Sequence, residues 1–165
     1  MATRPPADAI VALRSMGRRW RGVFAGLGDD EQPDDLANRI GGGGRSAFDH
    51  LMDATRTTSL LSRALQQTLT EADPSLHPAV SDPTARQWEH GHGGDVEAGI
   101  AELAQTADGL ADRAGRVSAS EWARDAPVAG GAPATNALAI LWDAVDSAVE
   151  HLRSAERVLQ EVRGR

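Results

Sequence analysis

The chain has 165 residues, no cysteine and no lysine, and its 24 acidic and 17 basic residues give a net charge of −7. The missing cysteine excludes disulfides and thiolate-held metals, and the missing lysine excludes Walker-type phosphate loops and Schiff-base catalysis. The acidic balance opposes general binding to nucleic acid or to anionic membranes. Ordinary fractions of hydrophobic and charged residues predict one soluble, cytoplasmic domain over residues 1–165, with no membrane span.

Two long helices are predicted in the first half of the chain, because apolar residues recur there every three or four positions. The first is expected over residues 7–27, with Gly28 as its C-terminal stop. The second is expected over residues 46–70. Ser46 and Asp49 stand three residues apart at its start, the spacing of a capping box.

Two further helices are predicted in the second half. The third is expected over residues 94–117 and the fourth from about Leu138 to the C-terminal arginines. No stretch alternates apolar and polar residues for long enough to predict a strand. The sequence therefore predicts an all-α fold, a four-helix bundle.

The connections carry two weak motifs. Gly41–Gly44 could direct backbone N–H groups at an anion, although a plain flexible connection is the favoured interpretation. The loop over residues 72–93 is long and rich in proline and glycine, which favours a lid or a site wall. Glu89 and His92 in this loop have the Glu-x-x-His spacing of di-iron bundles, but no second copy exists, so a di-iron site is not expected.

A candidate metal site comes from the second and fourth predicted helices. His50 and Asp53 lie one turn apart on the second helix, and Asp146, Glu150 and His151 follow one another along the fourth. Together they could give oxygen and nitrogen ligands to one divalent ion, with a position open to water or substrate. The alternative is a charged solvent face on the fourth helix, which spacing alone favours.

The order of four short segments resembles the DinB-like superfamily of four-helix proteins. The segments are residues 45–51, 69–74, 118–122 and 149–152, and the likeness covers about residues 8–160. This superfamily includes mycothiol-dependent maleylpyruvate isomerases and bacillithiol transferases. The resemblance implies a divalent metal held by a histidine of the second helix and by two residues, four apart, on the fourth helix.

The resemblance also implies positions for these ligands. Seven residues after the cap serine, where the family has its histidine, this chain has Asp53, and a histidine stands at His50 instead. On the fourth helix the pair corresponds either to Asp146 with Glu150 or to Ser147 with His151. The first alignment gives a carboxylate cluster suited to magnesium or manganese, and the second leaves two imidazoles.

Two functions follow as hypotheses. The first is a transferase or isomerase that depends on a divalent metal (zinc, nickel, manganese or magnesium) and on a low-molecular-weight thiol, with the metal activating the thiol or a water. The second is a non-catalytic bundle that has lost the metal site and binds a small molecule or a partner. A homodimer is expected by resemblance. Trp20 and Trp142 are candidates for its contact, with a place in the core as the favoured alternative.

Overall fold

A computed structural model describes residues 3–27, 32–86, 88–90 and 93–164, and these residues are mostly helical. The helices are, in chain order, α1 (Pro6–Arg14), α2 (Met16–Ala25), α3 (Pro33–Ala37), α4 (Ala47–Thr70), α5 (Val96–Ala114) and α6 (Ala137–Arg163). Two strands, β1 (Asp125–Ala126) and β2 (Thr135–Asn136), form an antiparallel pair. The short pair corrects the prediction of a chain without strands. Two residues each are too few for a period to show in the sequence.

The first predicted helix is two helices, separated at Ser15. The Ser15 hydroxyl donates to the carbonyl of Ala12, while its backbone angles stay near the helical region. The apolar spacing therefore continues across the break, and Met16 and Trp20 are as buried as Leu13. The predicted stop at Gly28 lies outside the described residues.

Helix α4 begins where the sequence predicts. Asp49 N donates to Ser46 Oγ at 3.0 Å, and Ser46 N donates to the Asp49 carboxylate at 2.8 Å, which completes the capping box. Three of its buried threonines are accommodated inside the helix because their hydroxyls donate to carbonyls four residues back: Thr55 to Leu51, Thr58 to Ala54 and Thr68 to Ala64.

The other long helices are also capped by side chains. Asp95 accepts from Ala98 N at the start of α5, and Asn136 accepts from Ala139 N at the start of α6. Helix α4 packs against both α5 and α6, and α1 and α2 pack against α5 and α6 on the other side. The apolar side chains between them form two buried clusters, one around Leu65 and Leu141 and one around Trp20 and Leu51. In the part of the chain that the structure describes, no helix is long and apolar enough to cross a bilayer.

Candidate functional site

The centre of the site is a contact between two histidines. His50 lies in the first turns of α4 and His151 in the middle of α6. Their Nδ1 atoms are 3.4 Å apart, and their rings are tilted by 42° with centroids 5.7 Å apart. The packing of α4 on α6 thus brings together two of the five predicted site residues.

Both imidazoles are neutral at physiological pH. Burial lowers the pKa of His50 to about 4, and the nearby guanidinium of Arg45 acts in the same direction. Burial also lowers the pKa of His151 to about 4, and the adjacent His50 and Arg45 add to the effect. A neutral imidazole has one nitrogen that donates and one that accepts, so the pair can serve both roles.

A cavity of about 310 Å³ lies against this histidine pair, and we call it the histidine pocket. Helix α4, helix α6 and the loop between α4 and α5 form its walls. The lining residues are Arg45, His50, Asp53, Thr57, Pro83, Arg86, Trp88, Ser147, Glu150, His151 and Ser154. The loop that the sequence identifies as a candidate site wall therefore contributes Pro83, Arg86 and Trp88.

Arg86 fixes this loop to α6. Its guanidinium donates to the carbonyls of Ala79 and Val80 in the loop, and to Asp143 at 2.6 Å and Ser147 at 3.2 Å on α6. Its side chain is only 6% exposed. The charge of Arg86 is thus compensated by Asp143, and its main effect is to hold the pocket wall in place.

Asp53 lies at the other end of the pocket, in a charged group that we call the Asp53 cluster. Its carboxylate is 1% exposed and forms an ion pair with Arg45, and Arg56 lies 3.9 Å away. Nε2 of His90 is 3.0 Å from each carboxylate oxygen and 2.6 Å from Nη2 of Arg45. The structure therefore pairs the buried carboxylate of Asp53 with a half-buried arginine.

The remaining two predicted ligands, Asp146 and Glu150, are not in contact with the histidine pair. Asp146 is on a different face of α6, where both of its oxygens accept from Arg4 at 2.7 and 2.9 Å, and its side chain is 56% exposed. Glu150 is exposed at the mouth of the histidine pocket. The two alignments on the fourth helix gave either Asp146 with Glu150 or Ser147 with His151. In the structure, Ser147 and His151 line the pocket beside His50.

The two motifs in the connections do not add a ligand site within the described residues. Gly42 N donates to Oε1 of Glu161 at 2.7 Å, so the glycine turn meets a carboxylate of its own chain. In the second motif, the backbone carbonyl of Glu89 accepts a hydrogen bond from the Arg56 guanidinium. His92, the other residue of that motif, lies outside the described residues.

This arrangement does not fit a preformed metal site. His50 and His151 offer two nitrogens, but Asp53 is engaged by Arg45 and Asp146 by Arg4. Within residues 3–27, 32–86, 88–90 and 93–164, no three side chains of the metal-ligating types form a group that could hold an ion. A structural zinc site takes four such ligands and a catalytic one takes three.

Some lining residues follow from helical spacing, and others are missed by the sequence prediction. Ser147 and Ser154 share one flank of α6 with His151, at intervals of four and three, and Ser147 stands with His151 in one of the two alignments that the sequence allows. Arg86 and Trp88 carry no such signal, because they reach the pocket from an irregular loop. Arg45 lies before the capping residue Ser46, where no helical spacing predicts that its side chain reaches the pocket.

Comparison with known proteins gives no relative: no family model, curated protein or solved structure matches the chain.

The two tryptophans differ in burial. Trp20 is fully buried, in agreement with the favoured prediction of a core position. Trp142 is only partly buried, and its indole N–H donates to the carbonyl of Arg4, whose guanidinium lies 3.5 Å from the ring centroid. The chain before α1 thus covers part of this indole and pairs with Asp146.

Proposed function

We propose that this chain is a DinB-like four-helix bundle that binds a small molecule in the histidine pocket. The bundle part is supported by four helical units, α1 with α2, α4, α5 and α6, which pack on one another. The binding part is carried by one observation, the pairing of His50 with His151 against a cavity. Cavities of at least about 300 Å³ with a few convergent polar groups are typical of small-molecule sites.

The charges around the histidine pocket favour a neutral or zwitterionic ligand. Arg45 is compensated by Asp53 and Arg86 by Asp143. Glu150, an exposed lining residue, has no ion-pair partner among the residues that the structure describes. Arg157 lies close by, since it donates to the lining residue Ser154 at 2.9 Å. A ligand with one charge of each sign, or with no charge, therefore adds no net charge that the pocket would have to compensate.

The histidine pair gives such a ligand both a donor and an acceptor. When the two Nδ1 atoms share a hydrogen bond, one ring carries its proton on Nδ1 and the other on Nε2. The two Nε2 atoms then differ, one accepting and one donating. A hydroxyl, amide or carbonyl group in the pocket can use both. The hydroxyls of Thr57 and Ser147 extend the hydrogen-bonding surface.

Histidine ring signals in a proton NMR spectrum test this function. The probes are neutral sugars, zwitterionic amino acids, dicarboxylates and a low-molecular-weight thiol, each titrated into the protein. We expect a neutral or zwitterionic probe to shift the His50 and His151 signals and to leave that of the exposed His77 in place. The shift should vanish in His151→Asn and persist in His77→Asn. The proposal fails if no probe moves either signal, or if the shifts survive in His151→Asn.

A second candidate is the metal- and thiol-dependent transferase or isomerase that the resemblance implies. It is favoured by the 3.4 Å separation of the two Nδ1 atoms, since two nitrogen ligands of one zinc ion lie about that far apart. A bound metal would supply an activated thiol or water. This function requires Asp53 to leave Arg45 or Glu150 to turn inward. Metal analysis of protein purified without a histidine tag tests it: one equivalent of metal that is lost in His151→Asn supports this candidate over a metal-free binder.

A further inference from the structure

One buried hydroxyl of α4 is left without a hydrogen bond. Three of the four buried threonines of this helix donate to the carbonyl four residues back, namely Thr55, Thr58 and Thr68. The fourth, Thr57, is only 2% exposed, and its side chain makes no hydrogen bond to any residue that the structure describes. Thr57 lines the histidine pocket. Because a buried hydroxyl without a partner costs free energy, this one points to a partner that comes from the cavity.

Thr57 shares a helix face with His50. The two residues are seven positions apart on α4, which is two turns and about 10 Å, and both line the histidine pocket. His151 and Ser154 of α6 line it from the other helix. Since both imidazoles are neutral, four uncharged polar side chains surround one cavity.

These side chains leave both donors and acceptors unused. The Thr57 hydroxyl can donate and accept. The histidine pair offers one accepting and one donating Nε2 when its two Nδ1 atoms share a hydrogen bond. Ser154 accepts from Arg157 at 2.9 Å, and its own proton remains available. A ligand that satisfies all of these groups must therefore both donate and accept, at several atoms.

We infer that the ligand of the histidine pocket is a polyhydroxylated molecule the size of one sugar ring, and that the Thr57 hydroxyl is one of its main hydrogen-bond partners. The inference rests on the proposed function and names its ligand class. A hydroxyl group donates and accepts, whereas a carboxylate only accepts and an ammonium group only donates. A cavity of about 310 Å³ is at the lower end for small-molecule sites, which favours one ring over a longer chain. Trp88 adds an aromatic side chain to the wall, against which the carbon atoms of a ring can pack.

Titration of the wild-type protein with neutral hexoses and with myo-inositol, followed by the histidine ring signals, tests the ligand class. We expect saturable shifts of the His50 and His151 signals and none of the exposed His77. Cyclohexanol has the six-membered ring of inositol with a single hydroxyl, and it should bind at least about tenfold more weakly. Equal affinity for cyclohexanol overturns the inference. If alanine or a low-molecular-weight thiol shifts the signals and no polyol does, the inference is overturned and the proposed function stands. If no probe shifts them, both fail.

Thr57→Val tests the assigned hydroxyl, because it keeps the shape of the side chain and removes only that group. We expect the Kd of the bound polyol to rise about tenfold, since one hydrogen bond is lost. Stability in urea should not fall, because the hydroxyl has no partner in the ligand-free protein. Thr57→Ser keeps the hydroxyl and should retain most of the affinity.

Thr58→Val is the matched control. Thr58 is the next residue of the same helix and is equally buried, but its hydroxyl already donates to Ala54. Its replacement should leave the Kd unchanged. A Thr57→Val variant that binds the polyol as tightly as the wild type overturns the role of this hydroxyl, and so does an equal loss of affinity in Thr58→Val. If Thr57→Val does not fold, Thr57→Ala takes its place with the same outcomes.

Discussion

His50 and His151 are 101 positions apart in the chain, and their Nδ1 atoms are 3.4 Å apart in the fold. The contact joins the start of α4 to the middle of α6. Both rings are partly buried and neutral, and burial disfavours their protonated form because a charged ring is less well solvated there than in water. Acid is therefore expected to act on the site and on the fold through the same two side chains.

The free energy of unfolding should fall with pH between about 6.5 and 4. The ordinary histidine pKa of 6.5 applies to the unfolded chain, and burial lowers both values to about 4 in the fold. In that range the unfolded chain binds more protons, so stability is complete above pH 6.5 and declines as pH falls toward 4. After allowance for partial solvent exposure, the pair should account for roughly 2 kcal/mol between pH 7 and pH 5. Urea unfolding at both values measures it.

Comparison with single variants separates this effect from that of the carboxylates. His151→Asn should reduce the difference between pH 7 and pH 5, because one of the two shifted groups is gone. His77→Asn should keep it, since His77 is exposed and stands apart from the pair. An equal pH dependence in His151→Asn and wild type would contradict the prediction.

Asp53→Asn and Asp146→Asn should differ in how much unfolding free energy each variant loses. Asp53→Asn leaves Arg45 beside a neutral group. Because the Arg45 side chain is 34% exposed, the loss of unfolding free energy should be below the roughly 3 kcal/mol that breaking a fully buried pair costs. Asp146→Asn removes an exposed contact with Arg4, and the loss should be far smaller. Urea unfolding at neutral pH compares them. Similar losses would show that the Asp53 ion pair adds little to stability.

Regular patterns made the helical part of the fold predictable. The apolar spacing identified α4, α5 and α6, and the Ser46 capping box fixed the start of α4. The break at Ser15 was not predictable, because the backbone there stays near the helical region and the spacing continues across it. Helix α3 and the two short strands are too brief for a periodic pattern to appear.

The candidate site was predictable only as far as helical register goes. His50 was identified because it lies one turn from Asp53 on the second predicted helix, and His151 because it follows Asp146 and Glu150 along the fourth. The partner of Asp53 was not, since Arg45 precedes the capping residue and its long side chain reaches a residue eight positions on. The partner of Asp146 comes from the segment before α1, at a separation of 142 positions. Such pairings depend on how side chains meet in three dimensions and leave no local pattern.

Arg86 should hold the loop between α4 and α5 against α6. Arg86→Met leaves the carbonyls of Ala79 and Val80 and the carboxylate of Asp143 without this donor. We expect a loss of about 3 kcal/mol in unfolding free energy. We also expect faster chymotrypsin cleavage after Trp88, because the loop detaches from α6. Arg63→Met, at an exposed position of α4, is the control and should leave the cleavage rate unchanged. Equal rates in the two variants would show that other contacts hold the loop.

Two glycines of α5 provide a matched test of how tightly this helix packs on α4. A Cβ at Gly99 would lie 2.9 Å from Cδ2 of Leu51 and 3.1 Å from Cε2 of Phe48, both on buried side chains that have little room to move. A Cβ at Gly109 would meet no atom within 4 Å. Alanine improves helix propensity by about 1 kcal/mol at either site, so Gly109→Ala should stabilise the protein by up to that amount.

At Gly99 the same gain is opposed by overpacking, which typically costs about 1–3 kcal/mol. Gly99→Ala should therefore be less stable than Gly109→Ala by about 2 kcal/mol in urea unfolding. Changing Leu51 to Ala as well should remove part of the penalty at Gly99, because the nearest contact atom is then gone, and should leave the effect at Gly109 unchanged. If Gly99→Ala is as stable as Gly109→Ala, then α5 can move away from α4 at little cost and the close packing of the two helices is not a constraint.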